Sequence, residues 1–376
     1  MRVMVVYGTR PEALKLAPIV ERLRLSRCLE PLVCTTGQHL ELVSAVHTLF
    51  GVRTDFELSP DAPTREPVLT NSVARIVAGI GECLRQARPA AVLVQGDTTS
   101  AFAGALAAFY EQIPVAHVEA GLRTWQMSSP FPEEAHRALT SKLARWHFAP
   151  TLGARAELLR EGIDVERIVV TGNTIVDALE AVRPRLPPLS EVIRGLGAPL
   201  AAHERLVLVT AHRRESFGAP LGRLCGAIEA MTRRFPELRV VWPVHPNPEV
   251  RGVVYGALAG CPGVTLTDPL PYPRFLALLQ GAWLTLTDSG GVQEEAPYLG
   301  CPLLVLRDVT ERPEAIASGN ARLVGNDGAA LLAEVSRLVA EPAERQALAA
   351  PRALYGDGRA SAQIVERLER DLGRRA

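Results

Sequence analysis

Three carboxylates, a histidine followed by arginines, and two glycine turns are the residues of this chain whose types and spacing could do chemistry. Asp97 and Glu119 each follow a short apolar run, in Gln95-Gly96-Asp97-Thr98-Thr99 and His117-Val118-Glu119-Ala120-Gly121-Leu122-Arg123. Glu133 follows Pro130-Phe131-Pro132 at the start of a helical pattern, with Arg137 four residues on along the same face. Carboxylates gathered around one cleft push one another's pKa values apart, which suits one for acid and another for base work. The plainer alternative for each is a helix cap or a salt bridge. It weighs most on Glu133, because acids favour helix N-termini anyway.

Ser289-Gly290-Gly291 opens a short helical segment that Gly300 ends. Glycines let a backbone approach a phosphate closely, and N–H groups at a helix start attract anions; a plain glycine turn is the competing reading. Gln293-Glu294-Glu295 follows, and a carboxylate one turn into such a helix can accept from two ribose hydroxyls. Gly8-Thr9-Arg10 is a second anion candidate, with the planar fork of Arg10 and the point charge of Lys15. Lys15 is one of only two lysines, with Lys142; its alternative is a surface pair with Glu12. His212 with Arg213 and Arg214 is either a phosphate clamp, a proton donor to a leaving phosphate, or a structural strand-end histidine.

Other chemistries lack their motifs. Gly79-Ile80-Gly81 and Gly195-Leu196-Gly197 have no third glycine, and no Walker A pattern occurs, so neither a nicotinamide cofactor nor a P-loop is indicated. His117-Val118-Glu119 has no Pro-Cys-x-x-Cys after it, and no His-Glu-x-x-His occurs, so no metal is expected. The six cysteines form no Cys-x-x-Cys pair and read as reduced, core-filling thiols.

The elements that must position these residues are βα units. Strand candidates are Arg2–Tyr7, Pro31–Thr35, Ala91–Gln95, Pro114–Val118, His147–Ala149 and Ile168–Thr171, then Leu206–Thr210, Arg239–Val244, Val264–Thr267, Trp283–Thr287 and Pro302–Leu306. Their nearly continuous apolar character fits parallel strands covered on both faces. A helix over Pro11–Arg24 is marked by Thr9 and Glu12 as a capping box and Pro11 in its first turn. The whole predicts two Rossmann-like, doubly wound α/β domains facing across a cleft. The first spans 1–171 and carries the carboxylates. The second spans 172–360, and a last helix within 361–376 can pack back on the first. At 376 residues and 47% hydrophobic, the chain has the length and core for two domains. A formal net charge of zero gives no global field towards nucleic acid or an anionic membrane. No apolar stretch approaches ~20 residues, and Met1–Tyr7 reads as a strand, so no membrane span and a cytoplasmic location are expected.

Taken in order, these strings resemble the non-hydrolysing UDP-N-acetylglucosamine 2-epimerases. They are joined by Thr171-Gly172-Asn173-Thr174, His212-Arg213-Arg214-Glu215-Ser216-Phe217-Gly218 and Thr310-Glu311-Arg312-Pro313-Glu314, and they span almost the whole chain. The resemblance implies a glycosyltransferase-B-like fold, a homodimer, and interconversion of UDP-GlcNAc with UDP-ManNAc without cofactor or metal. UDP would be eliminated to give a 2-acetamidoglucal and then added back. By the same resemblance Ser289, Gly290, Gly291, Arg10 and His212 hold the diphosphate and Glu295 the ribose. Phe275 packs at the uracil near Leu270, which stands where some members have glutamine. Arg312 closes the nucleotide site, and Lys15 and Arg137 also fall at substrate positions. Asp97, Glu119 and Glu133 carry proton transfer, with His212 assisting the leaving phosphate. The chain departs from the family at Gln38-His39-Leu40-Glu41-Leu42, where many bacterial members read Gln-His-Arg-x-Met in a region tied to activation by a second UDP-GlcNAc.

Overall fold

The computed structural model describes residues 1–38, 40–59, 69–211, 213 and 217–373. The chain divides into two units, Met1–Ala181 with Tyr355–Ala376, and Val182–Leu354. Each is a parallel α/β unit, the class that the alternation of apolar runs and helical patterns predicts.

Among the described residues, the first unit has seven strands: β1 (Arg2–Tyr7), β2 (Glu30–Thr35), β3 (Phe56–Glu57), β4 (Ala91–Gln95), β5 (Val115–Val118), β6 (Trp146–Ala149) and β7 (Ile168–Val170). They lie in the order β3-β2-β1-β4-β5-β6-β7, with parallel pairing throughout, for example Val3 against Pro31 on one side and Ala91 on the other. Strand order reverses between β1 and β4, and right-handed crossovers then send helices to both faces. Helices Arg10–Arg24, Leu40–Phe50 and Ala360–Gly373 pack together, as do Leu69–Ala87, Thr99–Tyr110 and Glu133–Leu143. Cover on both faces is why β4, β5 and β6 are buried at every residue. The helix Thr99–Tyr110 is built from small residues, and a Cβ on Gly104 would meet Val6 Cγ1 at 3.1 Å. Its backbone can thus lie close to the sheet at the reversal.

The second unit has six strands among the described residues: β8 (Arg205–Thr210), β9 (Leu238–Pro243), β10 (Val264–Thr267), β11 (Leu284–Thr287), β12 (Leu303–Val305) and β13 (Ala321–Leu323). Their order is β10-β9-β8-β11-β12-β13, again parallel. Fully buried Trp242, Val207, Val209, Ile228 and Leu286 centre the core. Here the order reverses between β8 and β11. In doubly wound sheets ligands bind beyond the carboxyl ends of the strands at such a reversal. The loops after β1 and β4, and after β8 and β11, are the ones that carry the candidate residues.

Two strands, β3 and β13, have no counterpart in the sequence reading. They are two and three residues long at sheet edges, too short for a periodicity. The first unit also runs on past Thr171, taking in the helix Thr174–Val182 up to Ala181, and the chain rejoins it at Tyr355. Asp177 fastens that return: its carboxylate accepts from Ser361 N at 2.8 Å, Ser361 Oγ at 2.5 Å and Ala360 N at 3.2 Å. Ile364, Val365, Leu368 and Leu372 of the last helix are buried, and that helix packs on Arg10–Arg24. Cys34, Cys83, Cys225 and Cys301 are buried free thiols. Among the described residues no helix is long and apolar enough to cross a membrane.

Candidate active site

In the first unit the site is organised by a residue that sequence reasoning gave no chemistry. Glu12 is fully buried. Its Oε2 accepts from Gly8 N at 3.0 Å, Thr9 N at 2.8 Å and Thr9 Oγ1 at 2.8 Å, completing the capping box. Its Oε1 accepts from Thr98 Oγ1 at 2.6 Å and so ties the turn after β1 to the loop after β4. Burial pushes this carboxyl up to about 6, against the pull of those hydrogen bonds. Gly8 has no room for a side chain, since a Cβ would fall 2.0 Å from Thr36 Oγ1. With both turn N–H groups committed to Glu12, an anion at Gly8-Thr9-Arg10 would meet the Arg10 side chain rather than the turn.

Lys15 does not make the surface pair with Glu12. It is buried and ion-paired with Glu119. Glu119 sits just after β5 with φ +62°, the left-handed region that side-chain-bearing residues seldom enter. Besides Lys15, its Oε2 accepts from Gln95 Nε2 and Asn173 Nδ2, each at 3.0 Å. A backbone held in that region by three donors on one oxygen marks a position where geometry outweighs local preference.

Asp97 stands on the neighbouring strand end, where Gly96 N donates to Val118 O at 3.0 Å. Its Oδ2 is 2.8 Å from Arg137 Nη2. Arg137 also lies 3.5 Å from Glu134, whose carboxylate accepts from Thr124 N at 3.0 Å and Trp125 N at 2.9 Å. Glu134 thereby fixes the loop between Glu119 and Glu133. Glu133 is half-buried at the first position of its helix, as the sequence pattern implies.

In the second unit Ser289, Gly290 and Gly291 open the helix Gly290–Leu299, which ends at Gly300 with φ +70°. The Ser289 side chain makes no capping hydrogen bond. The first N–H groups of such a helix have no carbonyl partner within it, so this turn offers donors to an anion. Arg312 packs directly on it: a Cβ on Gly290 would lie 2.6 Å from Arg312 Cζ. The guanidinium is oriented by Glu294 Oε1 at 2.7 Å and Glu311 Oε1 at 3.3 Å. Burial alone would raise Glu311, but Arg312 and Arg307 outweigh it and hold that carboxyl near about 2. A guanidinium against a helix N-terminus opposes the helix dipole, an arrangement that suits a site meant to receive a multiply charged anion.

Glu295 is buried one turn along and accepts from Tyr272 Oη at 2.7 Å. Tyr272 begins the helix Tyr272–Gly281, which also carries half-buried Phe275, just after buried Leu270. Gln293 links the same turn to the segment before Arg312: it accepts from Thr310 Oγ1 at 2.7 Å and donates to Ser289 O at 3.2 Å. Asp288 Oδ2 accepts from Arg213 N at 2.9 Å and fastens the end of β8 to that of β11. His212, Arg214, Glu215 and Ser216 lie outside the described residues, as does His39.

The structure thus gathers Arg10, Lys15, Asp97, Glu119, Glu133 and Arg137 on the first unit. It gathers Leu270, Phe275, Ser289, Gly290, Gly291, Glu295 and Arg312 on the second. Gln95, Asn173, Glu134, Tyr272 and Glu311 are the supports for which the sequence reading gave no role, and Glu12 reads there as a helix cap. Most of them lie inside the strings that carry the resemblance.

A family profile described as UDP-N-acetylglucosamine 2-epimerase matches residues 21–369. The UDP-N-acetylglucosamine 2-epimerase of Salmonella typhimurium is 46% identical over 372 residues, covering 98% of each chain. The chain belongs to the UDP-N-acetylglucosamine 2-epimerase family. Its fold is that of a Neisseria meningitidis UDP-GlcNAc 2-epimerase crystallised with UDP-GlcNAc, with a TM-score of 0.94 at 40% identity over 98% of this chain and 100% of that one. A Methanocaldococcus jannaschii UDP-GlcNAc 2-epimerase, crystallised with UDP-GlcNAc and UDP, superposes with a TM-score of 0.84 at 30% identity over 98% and 100%. The similarity to epimerases of this family thus covers nearly the whole chain.

Proposed function

We propose that the protein interconverts UDP-GlcNAc and UDP-ManNAc by eliminating UDP and adding it back. The observation that carries this reading is the pair Asp97 and Glu119. These carboxylates stand at the ends of adjacent strands β4 and β5, the first of which flanks the sheet reversal, one held by Arg137 and the other by Lys15. The sugar C2 proton has no neighbouring carbonyl to acidify it, so direct removal and return is difficult. In the proposed route a carboxylate takes the C2 proton while the C1–O bond breaks and its electron pair leaves with UDP. The product of that step is a 2-acetamidoglucal. A second group then protonates C2 from the opposite face, and the UDP oxygen re-forms the bond to C1. Asp97, Glu119 and Glu133 are the proton carriers.

UDP has to be retained between the two steps. Ser289, Gly290, Gly291, Arg312, Arg10 and His212 are assigned to its diphosphate, Glu295 to the ribose, and Leu270 and Phe275 to the uracil. Lys15 and Arg137 hold carboxylates next to the sugar. The open helix start under Arg312 and the Tyr272–Glu295 hydrogen bond support the assignment on the nucleotide side. The solved relatives that carry UDP-GlcNAc or UDP support it also. A homodimer is proposed with it. Exposed Phe109, Tyr110 and Leu139, on two helices that pack together, give an apolar surface for a second copy.

Incubation with UDP-GlcNAc in heavy water, followed by NMR, tests the route. Solvent deuterium at C2 of UDP-ManNAc is expected. A product that retains the original hydrogen rules out elimination. Free ManNAc with stoichiometric UDP identifies a hydrolysing enzyme instead.

A further inference from the structure

Of the buried histidines outside this scheme, His117 and His136 point at the same residue. His117 belongs to β5, two positions before Glu119, and is fully buried. Its Nε2 is 2.8 Å from Gly96 O. His136 lies beside Arg137 in the helix Glu133–Leu143, and its Nδ1 is 3.0 Å from Asp97 O. Its ring stacks on Phe102, with centroids 5.0 Å apart and planes 10° from parallel. Gly96 O and Asp97 O belong to the peptide groups on either side of the Asp97 Cα.

A backbone carbonyl can only accept, so each contacting nitrogen carries the hydrogen. Burial pushes His117 down to about 4 and lowers His136 as well, which keeps both rings neutral near pH 7. A neutral imidazole has one N–H. His117 is thereby fixed as the Nε2–H tautomer and His136 as the Nδ1–H tautomer. His117 Nδ1 is buried without a hydrogen-bond partner among the described residues, so no acceptor there competes for the hydrogen on Nε2.

These bonds matter because of what precedes Asp97. Gly96 has φ +69°, and an added Cβ would meet nothing within 4 Å. A glycine in open space gives its peptide group freedom to tilt. The His117 bond removes that freedom on one side of Asp97, the His136 bond on the other, and Arg137 holds the carboxylate itself.

We propose that His117 and His136 are positioning residues for Asp97, each donating from a fixed neutral tautomer to one of the two carbonyls that flank its Cα. The inference rests on the reading of Asp97 as a proton carrier. A reacting group displaced by about 1 Å can lose on the order of 100-fold in rate.

The experiment uses the full chain and has two arms. In the first, long-range 1H–15N NMR near neutral pH is expected to show, among the eight imidazoles, His117 as Nε2–H and His136 as Nδ1–H. The second signal is assigned by its loss in His136→Leu. An Nε2–H form at His136 overturns the proposal without reference to activity. In the second arm, kcat and KM for UDP-GlcNAc and the Kd for UDP are measured for His136→Leu, His136→Asn and Asp97→Asn. His136→Leu is expected to lower kcat by roughly 10- to 100-fold with UDP affinity unchanged. His136→Asn offers an amide N–H near the place of Nδ1–H and is expected to recover most of that loss. Wild-type kcat in His136→Leu, or equal impairment in both His136 variants, overturns the positioning role. Wild-type turnover in Asp97→Asn strikes instead at the reading of Asp97, and the tautomers stand apart from it.

Discussion

Replacing Glu12 by glutamine is expected to stabilise the protein at and above neutral pH. Burial is the main cause that lifts this carboxyl from 4.5 to about 6, and hydrogen bonds from Thr98, Gly8 and Thr9 oppose it without cancelling it. A carboxyl whose folded pKa lies above its unfolded value favours the native state in its protonated form. Its contribution is therefore complete below 4.5 and is lost as the pH rises through about 6. At ~1.36 kcal/mol per pKa unit the loss amounts to about 2 kcal/mol. Glutamine has nearly the same shape and no charge. Its carbonyl can still accept from Gly8 N and Thr9 N, and its amide can donate to the Thr98 hydroxyl. Near pH 8 the variant should be more stable by about 2 kcal/mol, a Tm higher by about 4–8 °C for a unit of roughly 200 residues. Near pH 4 the two proteins should melt together. Calorimetric melting of both across that range reads the effect directly. A Tm gap that does not change with pH, or a glutamine variant that is less stable near pH 8, refutes the argument. The native chain keeps an ionised Glu12 at this cost because the same carboxylate spans two loops at the reversal, and a site gives up stability for geometry of that kind.

The remaining expectations concern the carboxylates of the first unit and the glycine turn of the second. Asp97→Asn should bind UDP within severalfold of the native protein while turnover falls by roughly 10²–10⁴-fold, the range for a lost general acid or base; a large loss of UDP binding would recast Asp97 as a nucleotide ligand. Lys15→Met takes the Lys15 cation from buried Glu119 and should destabilise by about 3–5 kcal/mol, whereas removing both charges in Lys15→Met with Glu119→Gln, whose carbonyl oxygen can still accept from Gln95 and Asn173, should recover much of the loss. Unchanged melting of the single variant would show that the pair does not hold this region. Gly290→Ala places a methyl 2.6 Å from Arg312 Cζ, so the guanidinium must move. Titration calorimetry should then give UDP binding weaker by about tenfold or more, or ~1.4 kcal/mol; native affinity would separate Arg312 from the diphosphate.

Much of the fold is legible in the sequence because its strands are covered on both faces. The apolar runs Val3-Met4-Val5-Val6 and Ala91-Val92-Leu93-Val94 read as strands covered on both faces, and the structure puts both inside a parallel sheet. The start of the first helix is equally plain, since Thr9 and Glu12 are three residues apart and act locally. Two things escape such reading. Edge strands of two or three residues carry no pattern. The unit that a helix joins is decided by contacts with distant segments, as for Thr174–Val182 and the return at Tyr355. The site divides along the same line. Residues set in dense motifs could be singled out, but their holders could not: Asn173 reaches Glu119 across 54 positions, Thr98 reaches Glu12 across 86, and Lys15 reaches Glu119 across 104. The nearby partner for Lys15, Glu12, was the wrong one for a physical reason. Glu12 turns back towards the helix start to cap it and is filled by the turn.

The two sheet reversals use one device in two ways, and the difference bears on which of them receives an anion. At the first, the buried carboxylate of Glu12 comes from the segment after β1 and reaches Thr98 after β4. At the second, the buried carboxylate of Asp288 comes from the segment after β11 and reaches Arg213 N after β8. Glu12 spends its second oxygen on Gly8 N and Thr9 N and so fills its turn with negative charge. Asp288 bonds away from the helix it precedes, towards β8, and Ser289 contributes no side-chain cap to that helix. The first N–H groups of that helix have no carbonyl partner within it, and Arg312 lies against Gly290. The turn that already contains its own carboxylate lies on the unit of Asp97 and Glu119, which the proposed route makes proton carriers. The other turn has the donors and the cation that the proposed diphosphate contact requires.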